Sequence, residues 1–315
     1  MLFLRVGILL FFITSGDGFV RNFRNLASGV VSEILNNETP GSEVTYSYDD
    51  NDPYGPENWD RIDRTCDGLR QSPIDLQTES VWIRRRDRLT ISELTTRPIS
   101  IDLTNTGHGA QIAFNFPNAG QAVVSGGPLL GEYKIAQAHW HWGETDGSGS
   151  EHLLNSKRYA AELHVVTYNS RYASVSDAKD RIKGLAVLGF FYELDETATS
   201  DLLITNWLAN IIENDSSYTE AVNTFTINNL IKEAQFDYLS YQGSLTTPTC
   251  DETVTWMVST KPLKIKSADL AEFRKIKDKK GNLVLLDIMN LLNMFLLLPF
   301  TFLMEINIFN LLQFV

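Results

Sequence analysis

Between Ile74 and about Val258 the chain is a succession of short apolar runs broken by Gly, Pro, Asn and Asp. Ile99-Ser100-Ile101-Asp102-Leu103, Gln111-Ile112-Ala113-Phe114-Asn115-Phe116, Leu185 to Tyr192 and Thr253 to Val258 have the length and residue types of strands. Two stretches instead place apolar residues at helical spacing: about Asp201 to Ile212, and Ser267 to Ile276, which Ser267 opens. No internal repeat is visible. The pattern predicts a mostly β domain with a large mixed sheet and short peripheral helices.

The two ends depart from this pattern. Met1 to about Gly18 reads as a secretory signal peptide, with Arg5 in the positive region, Gly7 to Ile13 apolar, and Ser15-Gly16 small residues near a cleavage point. Its apolar part is too short to span a bilayer. Residues 19–43 are polar and mixed, a flexible lead-in. A domain is expected over 44–282, followed by an apolar, low-complexity tail over 283–315. Within the tail, Ile288 to Met304 carries no charge, but Asn290, Asn293 and Pro299 interrupt it, at the lower limit of length for a membrane span. The small-residue site and polar spacer of a lipid-anchor signal are poorly formed. The tail is expected to be foreign to the domain, the product of an altered or misread transcript; a membrane-associated tail is the second reading.

A chain of 315 residues, 43% hydrophobic, can bury a sizeable core. Its net charge of −12 argues against nucleic acid and anionic membrane surfaces as partners. The one dense basic run, Arg84-Arg85-Arg86 with Arg88, is interrupted by Asp87 and reads as solvated surface. Nothing in the sequence specifies an oligomeric state. The sequons Asn37-Glu38-Thr39 and Asn214-Asp215-Ser216 permit glycosylation.

The chemistry concentrates in Gln137-Ala138-His139-Trp140-His141-Trp142-Gly143. On a strand, alternate side chains share a face, so Gln137, His139 and His141 point the same way. In the strand-like run from Ala160 to Tyr168, Glu162 and His164 do likewise. Three neutral imidazoles from two neighbouring strands suit an open tetrahedral Zn²⁺ site with one corner left to water. Gln137 and Glu162, each two residues before a histidine, are placed to orient the rings.

His139-x-His141, Gly147-Ser148-Gly149-Ser150-Glu151-His152 and Ala160-Ala161-Glu162-Leu163-His164 together resemble the α-class carbonic anhydrases. Gln71-Ser72-Pro73-Ile74-Asp75, Gly126-Gly127-Pro128-Leu129, Gly184-Leu185-Ala186-Val187-Leu188-Gly189 and Gly243-Ser244-Leu245-Thr246-Thr247-Pro248 follow that family's order. The likeness runs from about Tyr48 to Lys277. It implies an α+β fold with a large central, mainly antiparallel sheet, and zinc-dependent hydration of carbon dioxide to bicarbonate outside the cell or in the secretory pathway. It implies His139, His141 and His164 as zinc ligands, and a Thr246 that accepts the proton of the reacting hydroxide while donating its own to Glu151. Val166, Val187, Leu245 and Trp256 match the family's apolar wall, and Thr247 the polar side that holds bicarbonate. His108 matches the proton carrier, with Gln111 facing its water chain and Tyr48 as a candidate for that chain's tyrosine. His152 resembles a buried structural position. Two cysteines in a secreted chain suggest one disulfide, and the resemblance places a bridge at the positions of Cys66 and Cys250. From Asp278 onward the likeness stops. The family's last strands, and the acceptor they supply to the middle ligand, here His141, have no counterpart in the sequence. The resemblance thus also admits a catalytically impaired carbonic anhydrase-like binding protein.

Overall fold

β-branched and aromatic residues fill the runs that the pattern marks as strands, and these runs pair into one large sheet. The computed structural model describes residues 46–80, 82–83, 88–93, 95–117, 121–198, 203–221, 225–231, 237–285 and 305–307. The expected signal peptide, the expected lead-in and most of the tail lie outside the described residues.

In chain order the strands are β1 (Asp75–Leu76), β2 (Trp82–Ile83), β3 (Thr90–Ser92), β4 (Ser100–Asn105) and β5 (Ala110–Asn115). Next come β6 (Val123–Ser125), β7 (Tyr133–Trp142), β8 (Leu153–Leu154), β9 (Ala161–Asn169) and β10 (Leu185–Leu194). The last are β11 (Ser217–Ala221), β12 (Tyr238–Gly243), β13 (Val254–Ser259), β14 (Leu263–Ile265) and β15 (Glu305–Asn307). The sheet order is β11-β4-β5-β7-β9-β10-β13-β12-β15-β2, with β14 on β10, β6 on β7 and β3 on β6. β10 runs parallel to β13 and β14, and β15 parallel to β2, while the other neighbours are antiparallel. The expected mixed, mainly antiparallel sheet is therefore present.

The central strands bury both faces. Ala138, Trp140, Trp142, Leu163, Val165, Leu188 and Phe190 join the larger core on one side. Val166, Leu185, Val187, Phe191, Tyr241 and Trp256 join a second core on the other, where the functional site lies. Leu163, Val165 and Leu188 are fully buried, and each such side chain contributes about 1.5–3 kcal/mol through the hydrophobic effect.

Three expectations change. The stretch from Asp201 to Ile212 does not form one helix but two 3-10 turns, Leu203–Asn206 and Leu208–Ile211. β-branched Ile204 and Thr205, with Asn206, disfavour a continuous α-helix, yet Ile204, Leu208 and Ile211 are still buried at helical spacing. The second helix ends at Phe273 rather than Ile276, with Leu270 and Phe273 anchoring it in the core. Third, part of the tail does enter the sheet. β15 pairs antiparallel with Tyr238 to Ser240 of β12 and parallel with β2. It covers only half of β12, and Tyr241, Gln242 and Gly243 have no strand neighbour on that side among the described residues.

Cys66 and Cys250 form a disulfide, with Cα atoms 4.9 Å apart and a sequence separation of 184. In the chain-entropy picture a closed loop of that length stabilises by about 4–5 kcal/mol. The bridge ties the short helix Arg64–Asp67 to the loop that follows Thr246.

Candidate metal centre and active site

Period two alone does not bring the histidines to the right face. Tyr133 and Ile135 of β7 belong to the same core as Ala138, Trp140 and Trp142, although one set is odd-numbered and the other even. A bulge between Ile135 and Gln137 inserts the extra residue, Ala136, and reverses the parity. Beyond it, Gln137, His139 and His141 face the second core. His139 then lies opposite His164 on β9, His141 opposite Glu162, and Gln137 opposite Val166. The same rows continue outward, with Gln111 of β5 opposite His139 and Gly189 of β10 opposite His164. Val187 stands between Val166 and Trp256. At Gly189 any Cβ would press on Val258 at 3.2 Å and stand 3.4 Å from Glu162 Oε1, so the residue beside the ligand strand is kept small.

The ligand atoms of His139, His141 and His164 lie within 4.8 Å of one another. His139 Nδ1 donates to Gln137 Oε1 at 2.9 Å, leaving Nε2 free. His164 Nε2 donates to Glu162 Oε1 at 2.8 Å, leaving Nδ1 free. Among the described residues His141 has no hydrogen-bond partner at either nitrogen, though both are buried. Its Nε2 stands 3.4 Å from Glu151 Oε2. Burial, then the neighbouring His164, pushes His139 down to about 3. Burial likewise holds His141 and His164 below the ordinary imidazole range. All three are neutral at pH 7, as metal ligands must be.

A second cluster, His152, Glu162 and His164, has comparable spacing, but it is already satisfied. Glu162 accepts from His152 Nδ1 at 2.7 Å, from the His152 amide at 2.9 Å and from His164 Nε2. His152 Nε2 meets the Tyr241 hydroxyl at 2.6 Å. Burial acts to raise the Glu162 pKa, but the His152 and His164 imidazoles outweigh it and hold the carboxyl well below its usual range. The unsatisfied atoms belong instead to His141 and to both oxygens of Glu151. Buried polar atoms without partners are costly, and a cation with its water among the three free imidazole nitrogens answers that cost. The residues present therefore fit a zinc ion at His139, His141 and His164, and His152 takes the structural role that the sequence suggested.

Glu151 is fully buried, and burial followed by the charge of Glu162 pushes its carboxyl well above the usual range. A dication nearby would draw it back toward the ionised form. Thr246 directs its hydroxyl at this carboxylate, in a contact looser than a regular hydrogen bond. The loop around Glu151 is tight, since a Cβ at Gly149 would fall 1.8 Å from the Ala160 carbonyl oxygen.

Above the imidazoles opens a cavity of about 330 Å³. Val166, Val187, Leu245, Trp256, Thr246, Thr247, His108 and Gln111 are among the residues that line it. Every expected site residue lines the cavity except the disulfide pair and Glu151 and Glu162, and those two carboxylates stand against the imidazoles instead. Trp256 is both wall and core: it is 1% exposed, its ring lies 4.8 Å from His164, and its Nε1 donates to the Ser244 carbonyl. Tyr48 reaches the cavity as expected. Tyr46, Val175 and Lys179 line it as well and were not expected. Tyr46-Ser47-Tyr48 alternates aromatic and polar, the only sequence signal that marks Tyr46. Burial pushes the Tyr46 phenol up to about 12, with the neighbouring Thr247 and Tyr48 acting to lower it.

The profile of the eukaryotic-type carbonic anhydrases matches residues 54–291. Carbonic anhydrase 1 of Monodelphis domestica is 32% identical over 244 residues, covering 75% of this chain and 87% of the opossum protein. Carbonic anhydrase 7 of Mus musculus is 34% identical over 233 residues, covering 73% of this chain and 84% of the mouse protein. The profile match runs past Asp278, where the motif likeness ends.

Proposed function

The chain belongs to the eukaryotic-type carbonic anhydrases, zinc-dependent carbonate dehydratases acting on carbon dioxide and bicarbonate, and from that premise we propose that it works outside the cell or in the secretory pathway through the residues assembled above. The observation that carries the reading is the trio of neutral, convergent imidazoles with Glu151 behind it.

Zinc held by three imidazoles supplies hydroxide near neutral pH, the behaviour for which carbonic anhydrase is the standing example. The protein does the rest. Gln137 and Glu162 fix the tautomers of His139 and His164, so that each presents a lone pair to the metal position. Glu151 accepts a hydrogen bond from Thr246, which orients the Thr246 oxygen to accept one from the attacking hydroxyl and so aims its lone pair at carbon. Val166, Val187, Leu245 and Trp256 exclude water from the side where apolar carbon dioxide rests, and Thr247 hydrogen-bonds the bicarbonate formed. His108, at the cavity wall, takes the released proton.

Secretion is supported by the leader pattern and by the Cys66–Cys250 bridge, which suits an oxidising compartment. Among the described residues no helix is long and apolar enough to cross a membrane. A second reading, a catalytically impaired relative, is favoured by the missing partner of His141. Zinc content and carbon dioxide hydration, measured on protein collected from the medium of secreting cells, test the proposal. One zinc per chain with rapid hydration is expected. Zinc-loaded protein that does not hydrate would favour the second reading, and protein retained inside the cells would overturn the location.

A further inference from the structure

One residue holds His108 on two sides. Its imidazole stacks on the Tyr46 ring, with centroids 3.9 Å apart and planes 21° from parallel. Its Nε2 lies 2.8 Å from the backbone carbonyl oxygen of the same residue. A carbonyl can only accept, so Nε2 carries the hydrogen and donates it. The neutral ring is thereby fixed as the Nε2–H tautomer, and Nδ1 is its one open nitrogen.

Tyr46 is itself held. Its ring meets those of Tyr48 and Trp59 edge-on at 5.7 and 5.4 Å. Trp59 Nε1 in turn donates to the carbonyls of Ser47 and Tyr54 at 3.3 and 3.1 Å. On the histidine side, the His108 amide donates to Thr106 Oγ1 at 3.3 Å.

An imidazole that passes a proton straight through accepts at one nitrogen and releases from the other. That route is closed while Nε2–H is engaged. We propose that Tyr46 is a positioning residue for proton export, latching His108 so that the proton enters and leaves through Nδ1 alone. Nδ1 takes a proton from cavity water to give the imidazolium, and the same N–H bond breaks when buffer removes it; the Nε2–H bond stays intact throughout. Export then waits for the ring to turn or for buffer to enter the cavity, so the latch slows turnover where buffer is scarce. The inference rests on His108 being the proton carrier.

The test uses ¹⁵N-labelled zinc-loaded protein, in which the chain's five histidines are resolved and His108 is assigned by its loss in His108→Ala. The ring-nitrogen shifts should report the Nε2–H tautomer in the parent and in Tyr46→Phe, which keeps the stack and the backbone contact. In Tyr46→Ala the tautomers should mix. The ratio of weak-buffer to strong-buffer turnover should then rise about five-fold, the factor that the lost aromatic stack is worth once only the backbone contact remains. An Nδ1–H tautomer in the parent overturns the latch. An unchanged or lower ratio in Tyr46→Ala, with the tautomers mixed, overturns its kinetic consequence. If His108→Ala matches the parent in weak buffer, the proton-carrier role fails and the inference falls with it, whatever the tautomer.

Discussion

His139 and His164 differ from His141 in how they are held. Each of the first two spends its outer nitrogen on an oxygen two residues earlier on its own strand, Gln137 or Glu162. His141 has no such partner among the described residues. The difference is one of sequence distance. A partner two residues away comes with the strand itself, because period two puts both side chains on one face. A partner from a remote segment depends on that segment being in place, and among the described residues none supplies one to His141. The metal site should therefore have two firm corners and one loose one.

The largest effect is expected from removing a firm corner. His164→Ala leaves two imidazoles on one strand, and zinc occupancy should fall from one per chain toward zero with activity lost alongside. Metal analysis of the purified variant checks this; full occupancy with normal hydration would remove His164 from the ligand set. Glu162→Ala should come next, because three donors lose their acceptor at once. Each buried donor left unsatisfied costs about 1–3 kcal/mol, so chemical denaturation should reveal a much less stable protein, and zinc should bind more weakly.

Gln137→Ala removes one neutral acceptor and should weaken zinc roughly 10-fold, the lower end of what such partners contribute. Competition with a chelator measures it. An equal affinity would mean that His139 is no better held than His141. The smallest effect should come from supplying what His141 lacks. Replacing residues 283–315 with the C-terminal segment of a family member should tighten zinc by up to about 10-fold. It should also raise the melting temperature by pairing the rest of the β12 edge. Equal values for the two chains would mean that β15 already does that work.

Much of the site is legible in the amino-acid sequence, and for the same reason that two corners are firm. His139, His141 and His164, with Gln137 and Glu162, sit at intervals of two within strands, so their pattern is local. Glu151, Thr246 and His108 lie on loops, where only motif likeness marks them. The bulge at Ala136 leaves no mark on the sequence, yet without it the histidines would face the larger core. Tyr46 is hidden in the sequence because its contacts to His108 and Thr247 join segments far apart in the chain. The paired 3-10 turns and the half-covering β15 depend on tertiary packing, which outweighs local pattern in short elements.

X-ray absorption and anomalous diffraction at the zinc edge test the central claim most directly. The account predicts one zinc bound by three imidazole nitrogens: Nε2 of His139, Nε2 of His141 and Nδ1 of His164. Zinc coordinated instead by His152, Glu162 and His164, or a site lacking His141, would contradict it.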